Sequence, residues 1–464
     1  MRWPEIAAPV RMQRVAVVAP TATLRRVLAE TADAGTVELD VPDTSAPAGE
    51  AAVRLHHLAA TPPEPRLSGR TPDLAELERD GRLDLLAGED ELERHAGAAV
   101  VRSDVAALAG WTQQAHVTQL AERLEPFGGT VVPLPTPRGV DPPTRLHTGG
   151  ATRRAFAPLV ETYGTVPYAD VDPTLPAGLA YVFMFGMMFG DVGHGVLLIL
   201  AGLVLRAGRP ARLARYRRVW GFVVGAGVAA TGFGVLYGEF FGPTGVVPVL
   251  WLSPLEEPIT LLAAALGVGA VLIAGAYVLG TVNRWHEGGW PSAVSAPSGL
   301  AGVALFAGLG LVLLGLVAGS VWLLVGGVVG AVGLILASTG FLAATEGGAA
   351  GIVQTLVELF DAVIRLGANL VSFARLAAFG LTHAAVGQIV WNGTTSLWGG
   401  VVGSSAAVVV FVVGNTLAFA LEALVAGVQA LRLEYYELFS RLFVTEGRPF
   451  HPWHVPIEPS GRSS

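Results

Sequence analysis

Most of the chemistry open to this chain is concentrated in two stretches near its C-terminal end. Between residues 354 and 383 an apolar background carries Gln354, Glu358, Asp361, Arg365, Asn369, Ser372, Arg375 and His383. At about 100° per residue of α-helix, all of them fall within one stripe about 120° wide. Further on, Asn415, Glu422, Gln429 and Tyr436 recur every seven residues, drifting by about 20° per step. Arg432 lies about 60° from that line. Arginine does not deprotonate at any working pH, so Arg375 and Arg432 act as permanent cations and partners for carboxylates. His383, Glu422 and Asp361 can take up and release protons. A fixed cation flanked by titratable groups suits a path on which protons leave one side and rejoin on the other. Salt bridges that only hold helices together would explain a lone charge equally well, but explain two stripes on neighbouring long helices less well.

Other residues carry weaker signals. Asp191 and His194 could be a metal pair, but two ligands beside glycine are too few, and a loop or packing motif is expected. Asn392-Gly-Thr394 is a glycosylation sequon, read as chance. The chain has no Cys, and all 30 of its basic residues are Arg. With no Lys, a standard Walker A site and a Schiff base are both excluded. The chain is therefore not expected to catalyse ATP hydrolysis by itself, and no cofactor, metal or nucleic-acid partner is expected. The all-arginine basic set, with 59 Gly, points to a high-GC and prokaryotic genome.

These stripes need a membrane body to sit in. The chain is 52% hydrophobic and only 14% charged, where soluble domains carry about a quarter charged residues. Its formal net charge of −7 resides entirely in residues 1–172, and the rest is balanced. The expected fold is thus an α-helical integral membrane domain over 173–450, a small N-terminal α/β cytoplasmic domain over 1–172, and a cytoplasmic tail over 451–464. About eight spans are expected, near 175–189, 190–206, 219–239, 259–280, 300–318, 321–344, 354–391 and 401–443. The last two, at about 38 and 43 residues, exceed a ~30 Å core and must protrude or tilt.

The N-terminal part reads as two strand–helix–strand units in two small lobes. Val15–Val18, a helix through Leu24, Val27, Leu28 and Ala32 stopped by Gly35, and Val37–Val41 form the first. Val105–Trp111, Val117–Leu124 and Thr130–Leu134 form the second. Residues 73–96 read as helical and 42–72 as linker. The first 30 residues show no signal-peptide pattern. The loop over 206–218 carries Arg206, Arg209, Arg212, Arg215, Arg217 and Arg218, which places it and both termini in the cytoplasm by the positive-inside rule.

Three motifs carry a family resemblance. Asn369-Leu-Val-Ser-Phe-Ala-Arg375-Leu-Ala-Ala-Phe-Gly-Leu-Thr-His383 resembles the penultimate span of the V/A-type rotary ATPase subunit a (subunit I) family. Leu421-Glu422, Gln429-Ala-Leu-Arg432-Leu-Glu-Tyr, Phe439-Ser440 and Glu446-Gly-Arg-Pro-Phe450 resemble its last helix and tail. Phe185-Gly-Met-Met-Phe-Gly-Asp191-Val-Gly-His-Gly195 resembles its first membrane motif. Arg14-Val-Ala-Val-Val-Ala-Pro20 and Pro142-Pro-Thr-Arg-Leu146 extend the likeness, more loosely, to the N-terminal part. The resemblance covers nearly the whole chain.

The resemblance implies a stator subunit that forms two proton half-channels against a ring of proteolipid subunits. Arg375 would be the essential arginine facing the ring, with Arg432 the second arginine. Glu422, His383, Asp361 and Gln429 would serve proton transfer, and Glu358, Arg365, Asn369, Ser372 and Asn415 would line the channel faces. Implied partners are the proteolipid ring, peripheral stalk and other ATPase subunits, in a prokaryotic plasma membrane. The family's long coiled-coil arm has no room between the two N-terminal units, which leaves the stalk attachment open. Two other readings are a secondary transporter that binds an anionic solute at the buried arginines, and an assembly or anchoring protein. Internal repeats and broken mid-membrane helices would favour the transporter, and no repeat is found.

Overall fold

The computed structural model describes residues 9–40, 49–58, 63–137, 139–146, 149–208, 211–296, 298–345, 347–442 and 446–458. Val41, residues 42–48, Arg209 and residues 459–464 lie outside them. The described chain divides into two units, one of residues 9–146 with 447–458 and one of 149–446.

In the first unit, strand β1 (Met12–Pro20) is followed by helix α1 (Leu24–Ala34), β2 (Val37–Leu39), α2 (Glu50–Leu58), α3 (Leu74–Arg79) and α4 (Leu83–Gly97). Then come β3 (Val100–Arg102), β4 (Val105–Gln113), α5 (Val117–Leu124) and β5 (Thr130–Pro133). Both strand–helix–strand units contribute to one antiparallel sheet of order β2-β4-β1-β5, with β3 on β4. Alternation along β1 turns Val15, Val17 and Ala19 inward, and Val17 pairs with Leu108 on one side and Val131 on the other. The helices cover that face with Val27, Leu28, Leu120 and Leu124, each large apolar side chain contributing roughly 1.5–3 kcal/mol by burial. Gly35 ends α1 in the left-handed region at φ 58°, a conformation that glycine adopts without penalty. The segment read as linker contains α2, because Leu55 packs with Leu77, Leu85 and Leu86.

The stretch after residue 446 closes this unit. The Trp453 amide donates to Val37 O at 2.8 Å and the Ile457 amide to Asp33 Oδ1 at 2.8 Å. Val455 is fully buried in the core.

The second unit is helical: α6 (Ala151–Tyr163), α7 (Thr174–Met188), α8 (Val192–Ala207), α9 (Trp220–Tyr237), α10 (Pro258–Ser295), α11 (Leu300–Ala318), α12 (Ser320–Ala344), α13 (Gly348–Ser372), α14 (Ala374–Ser396) and α15 (Gly400–Leu433). Among the described residues, five stretches are long and apolar enough to cross a membrane: Ala214–Tyr237, Pro258–Glu287, Gly289–Leu316, Ser320–Ala343 and Gly400–Leu442. The other expected spans are also helical, but α7 and α8 have only 15 and 16 residues, and α13 and α14 carry many polar side chains. Gly289, at φ 72°, interrupts α10. Glycine also permits the close approach of α8 to α9, since a Cβ on Gly195 would lie 2.4 Å from Thr231 Oγ1.

The expected span 354–391 is not one helix. It breaks at Phe373, whose amide reaches back to Leu370 O at 3.1 Å and whose carbonyl accepts from Leu376 N at 2.9 Å, a tightened turn. The Phe373 ring is fully buried against Gly269 of α10, where a Cβ would sit 2.4 Å from it. The last helix does run long, α15 continuing through a π-helical turn over Glu434–Phe439 to Leu442.

Candidate functional site

Three polar groups lie along α13, α14 and α15. The first surrounds the C-terminal half of α13. Asp361 is ion-paired with Arg365 one turn on, and Glu358 accepts a hydrogen bond from Gln354 at 2.9 Å. These side chains are largely exposed, and Ser372 donates to the Ala368 carbonyl of its own helix at 3.1 Å. Asn369, with its amide oriented to satisfy both ends, donates to Glu437 at 2.9 Å and accepts from Arg441. The Arg441 guanidinium also lies 4.5 Å from the Tyr277 ring centroid. A cavity of about 490 Å³ opens here, lined among others by Tyr277, Arg365, Asn369, Tyr436, Ser440 and Arg441.

The second group is central. Arg375 follows the break at Phe373 and is half-buried, while Arg432 near the end of α15 is exposed. Neither forms an ion pair with any described carboxylate, whereas Arg365, Arg284 and Arg153 all do. Gln429 is half-buried, with its side-chain oxygen lacking a hydrogen-bond partner.

The third group lies beyond Arg375. Residues 365 and 383 are 18 positions apart, or about 27 Å along a helical path, so the first and third groups occupy opposite ends. His383 is 5% exposed. Its Nδ1 meets Glu422 of α15, and its Nε2 lies 3.9 Å from Glu239, which follows α9. Phe189 packs against both His383 and His194, with ring centroids 5.0 and 5.6 Å away. Asp191, fully buried, caps α8 by accepting from the His194 amide at 2.8 Å, and also accepts from Gly242 N at 2.9 Å. Asn415 is buried, but its side chain donates to Phe411 O at 2.9 Å on its own helix.

Glu239, Glu434, Glu437 and Arg441 are absent from the sequence-derived set, yet all four are buried. Glu434 and Glu437 sit among the residues of the last-helix motif, where the seven-residue spacing drew attention elsewhere. Glu239 is a single carboxylate just past an apolar span, the one sequence signal that could have found it.

A helical body with apolar, membrane-length helices and ionisable side chains packed between them defines an integral membrane protein. Residues 100–220 match the family model of the V-type ATPase 116kDa subunit family. The A-type ATP synthase subunit I of Pyrococcus horikoshii is 27% identical, over 76% of this chain and 54% of its own length. That of Halobacterium salinarum is 28% identical, over 68% and 52%. The V-type ATP synthase subunit I 2 of Treponema pallidum is 36% identical over 109 residues, 24% of this chain and 23% of its own. The chain is thus similar to the V-type ATPase 116kDa subunit family over residues 100–220 and to archaeal A-type ATP synthase subunits I over most of its length, and it spans about half the length of those relatives.

Proposed function

We propose that this chain is the membrane stator subunit of a rotary ATPase, carrying protons past a ring of small partner subunits. The observation that carries the reading is the pair Arg375 and Arg432. Two permanent cations sit on apolar helices with no ion pair to a carboxylate among the described residues, Glu437 lying within range of their charge but not in contact, and lipid does not tolerate them there. A carboxylate on a partner that passes Arg375 would be held ionised beside it and would regain its proton further on. The group around Asp361, Glu358 and Asn369, with its cavity, would open to the cytoplasm. His383, Glu422 and Glu239 would line the outer path, and Gln429 and Arg432 would flank the crossing. Arg375 would block a direct leak between the two halves.

On this reading the arginine-rich loop over 206–218 is cytoplasmic, as are both termini, and the membrane is a prokaryotic plasma membrane. The sheet unit would meet the peripheral stalks. The test is purification from native membranes in mild detergent. Small hairpin-like subunits with one buried carboxylate should co-purify. A solitary chain that transports a solute when reconstituted would overturn the proposal.

A further inference from the structure

The third polar group holds more ligand chemistry than a proton path requires. Asp191, His194 and His383 each offer a donor atom, and these lie within 4.8 Å of one another. All three residues are at most 5% exposed. The His194 ring is buried in the cluster, and its nitrogens meet only the backbone of Asn415, short of a regular hydrogen bond. The Glu239 carboxylate is 3.9 Å from His383 Nε2, which brings a further carboxylate to the edge of this group of three donors. Glu422 engages the other nitrogen, Nδ1. That is the arrangement by which a carboxylate behind a histidine fixes its tautomer and aims the free nitrogen at a metal. Three carboxylates thus converge on two imidazoles, and among the described residues none of the three pairs with an arginine. Such an excess of negative charge in an apolar body favours a bound cation.

We propose that Asp191, His194, His383 and Glu239 form a site for a divalent transition ion of the zinc class, with Glu422 as the residue that positions His383. Two imidazoles with two carboxylates select zinc-like ions over magnesium or calcium, which prefer all-oxygen shells. Donors of a tetrahedral zinc site stand about 3.3 Å apart, so closing the cluster takes rotamer changes of roughly an ångström. The spacing in the sequence hides the site, because the third and fourth donors come from α14 and from the turn after α9.

A metal here would tie up His383 and Glu239 and stop proton traffic through the outer half. That consequence rests on the function proposed above, whereas binding does not. The experiment uses the detergent-purified complex, stripped with EDTA and dialysed against zinc chloride, with bound metal measured by mass spectrometry and calorimetry. One zinc per chain at micromolar free metal is expected. His194→Gln should weaken binding at least ~10-fold, and Glu422→Gln about 10–100-fold, the usual effect of losing such a supporting carboxylate. Glu239→Gln, which removes a ligand without touching the α8 cap, guards against a His194 variant that misfolds. Wild-type protein that binds no more zinc than these variants overturns the site. Zinc bound stoichiometrically with no loss of pumping leaves the site standing and overturns the placement of His383 in the proton path. Pumping that zinc inhibits and EDTA restores, with residual pumping of His194→Gln insensitive to zinc, supports both.

Discussion

Replacing Arg375 isolates the step on which the proposed mechanism turns. The guanidinium is half-buried and in no ion pair among the described residues, with Glu437 the carboxylate that feels its charge from a distance, so most of its charge is available to a partner carboxylate. At a contact of about 4 Å and an effective dielectric near 20, the attraction is about 4 kcal/mol, equivalent to about 3 pKa units on that carboxylate. Arg375→Ala removes it, and the ratio of ionised to protonated carboxylate at the crossing falls about a thousandfold. Coupled pumping should then vanish. Arg375→Lys keeps the formal charge but loses the planar fork, and a buried Lys lowers its own pKa by several units and neutralises; pumping should vanish here as well. Arg365→Ala should cost far less than Arg375→Ala, since its charge is already compensated by Asp361 on an exposed helix face and such pairs contribute roughly 0–1 kcal/mol. Glu422→Gln should leave reduced but measurable pumping, because water or a neighbour can relay in its place. The assay is ATP-driven acidification in membrane vesicles, with assembly followed by co-purification of the ring. An Arg375→Ala complex that assembles normally and pumps near the wild-type rate would refute the reasoning and return Arg375 to a structural role.

Two further outcomes follow from the surroundings of single side chains. Asp170 is 1% exposed before α7, and burial, together with Glu287 beside it and opposed by Arg284, pushes its pKa up to about 8 from an unfolded value of 3.8. Folding therefore favours the neutral acid; that contribution is complete below about pH 4 and is lost as pH rises toward 8. Asp170→Asn stays neutral, so its thermal midpoint relative to wild type should rise between pH 5 and pH 8, and a pH-independent difference would contradict the burial argument. In the sheet unit, Trp453 stacks on His95 at 3.8 Å and donates to Glu91 at 3.0 Å. Trp453→Ala should destabilise the unit by about 2–4 kcal/mol, read as faster hydrogen exchange over residues 447–458, and unchanged exchange would show that this segment is held by its backbone alone.

The stripes on the last helices were legible because a charged residue in an apolar helix stands out at any register. Their continuity was not. Nothing in the local sequence around Phe373 marks a break, since it contains neither Pro nor an adjacent Gly; the turn tightens because the ring seats against Gly269, more than a hundred positions away. The same limit hid α2. Residues 42–72 are rich in Pro and Ala, and Glu50–Leu58 is helical only because Ala51 and Leu55 find a buried face on α4. β1, α1, β4 and α5, by contrast, carry their own periodicity, and each lies where the apolar pattern puts it. Asp191 and His194 do serve as a cap and packing motif. That description was incomplete, because His383 and Glu239 reach them only through the fold.

The exposed surface of the helical unit gives the last reason to look outside the chain. On α15, Leu417, Leu421, Leu424 and Val428 are all more than half exposed, and Arg432 continues the same side within about 80°. On α13, Val353, Val357, Phe360 and Ile364 are exposed likewise. Aliphatic side chains on such a surface are satisfied by lipid. A guanidinium among them is not, unless it reaches the headgroups or meets a counter-charge. Arg432 sits eight positions before Ser440 on a helix that runs on to Leu442, and Arg375 has the break at Phe373 behind it and twenty-one helical residues ahead. Helical chain continues beyond each position on both sides, through the tightened turn at Phe373 and the π-helical turn after Leu433, so neither is a chain end from which a side chain readily snorkels. On the function proposed above, the counter-charge comes from another protein whose own apolar surface covers these helices and whose carboxylate can approach and leave. A lipid headgroup would neutralise the arginines permanently and give no cycle. A carboxylate that moves past them gives one, and that motion is what the function proposed above requires.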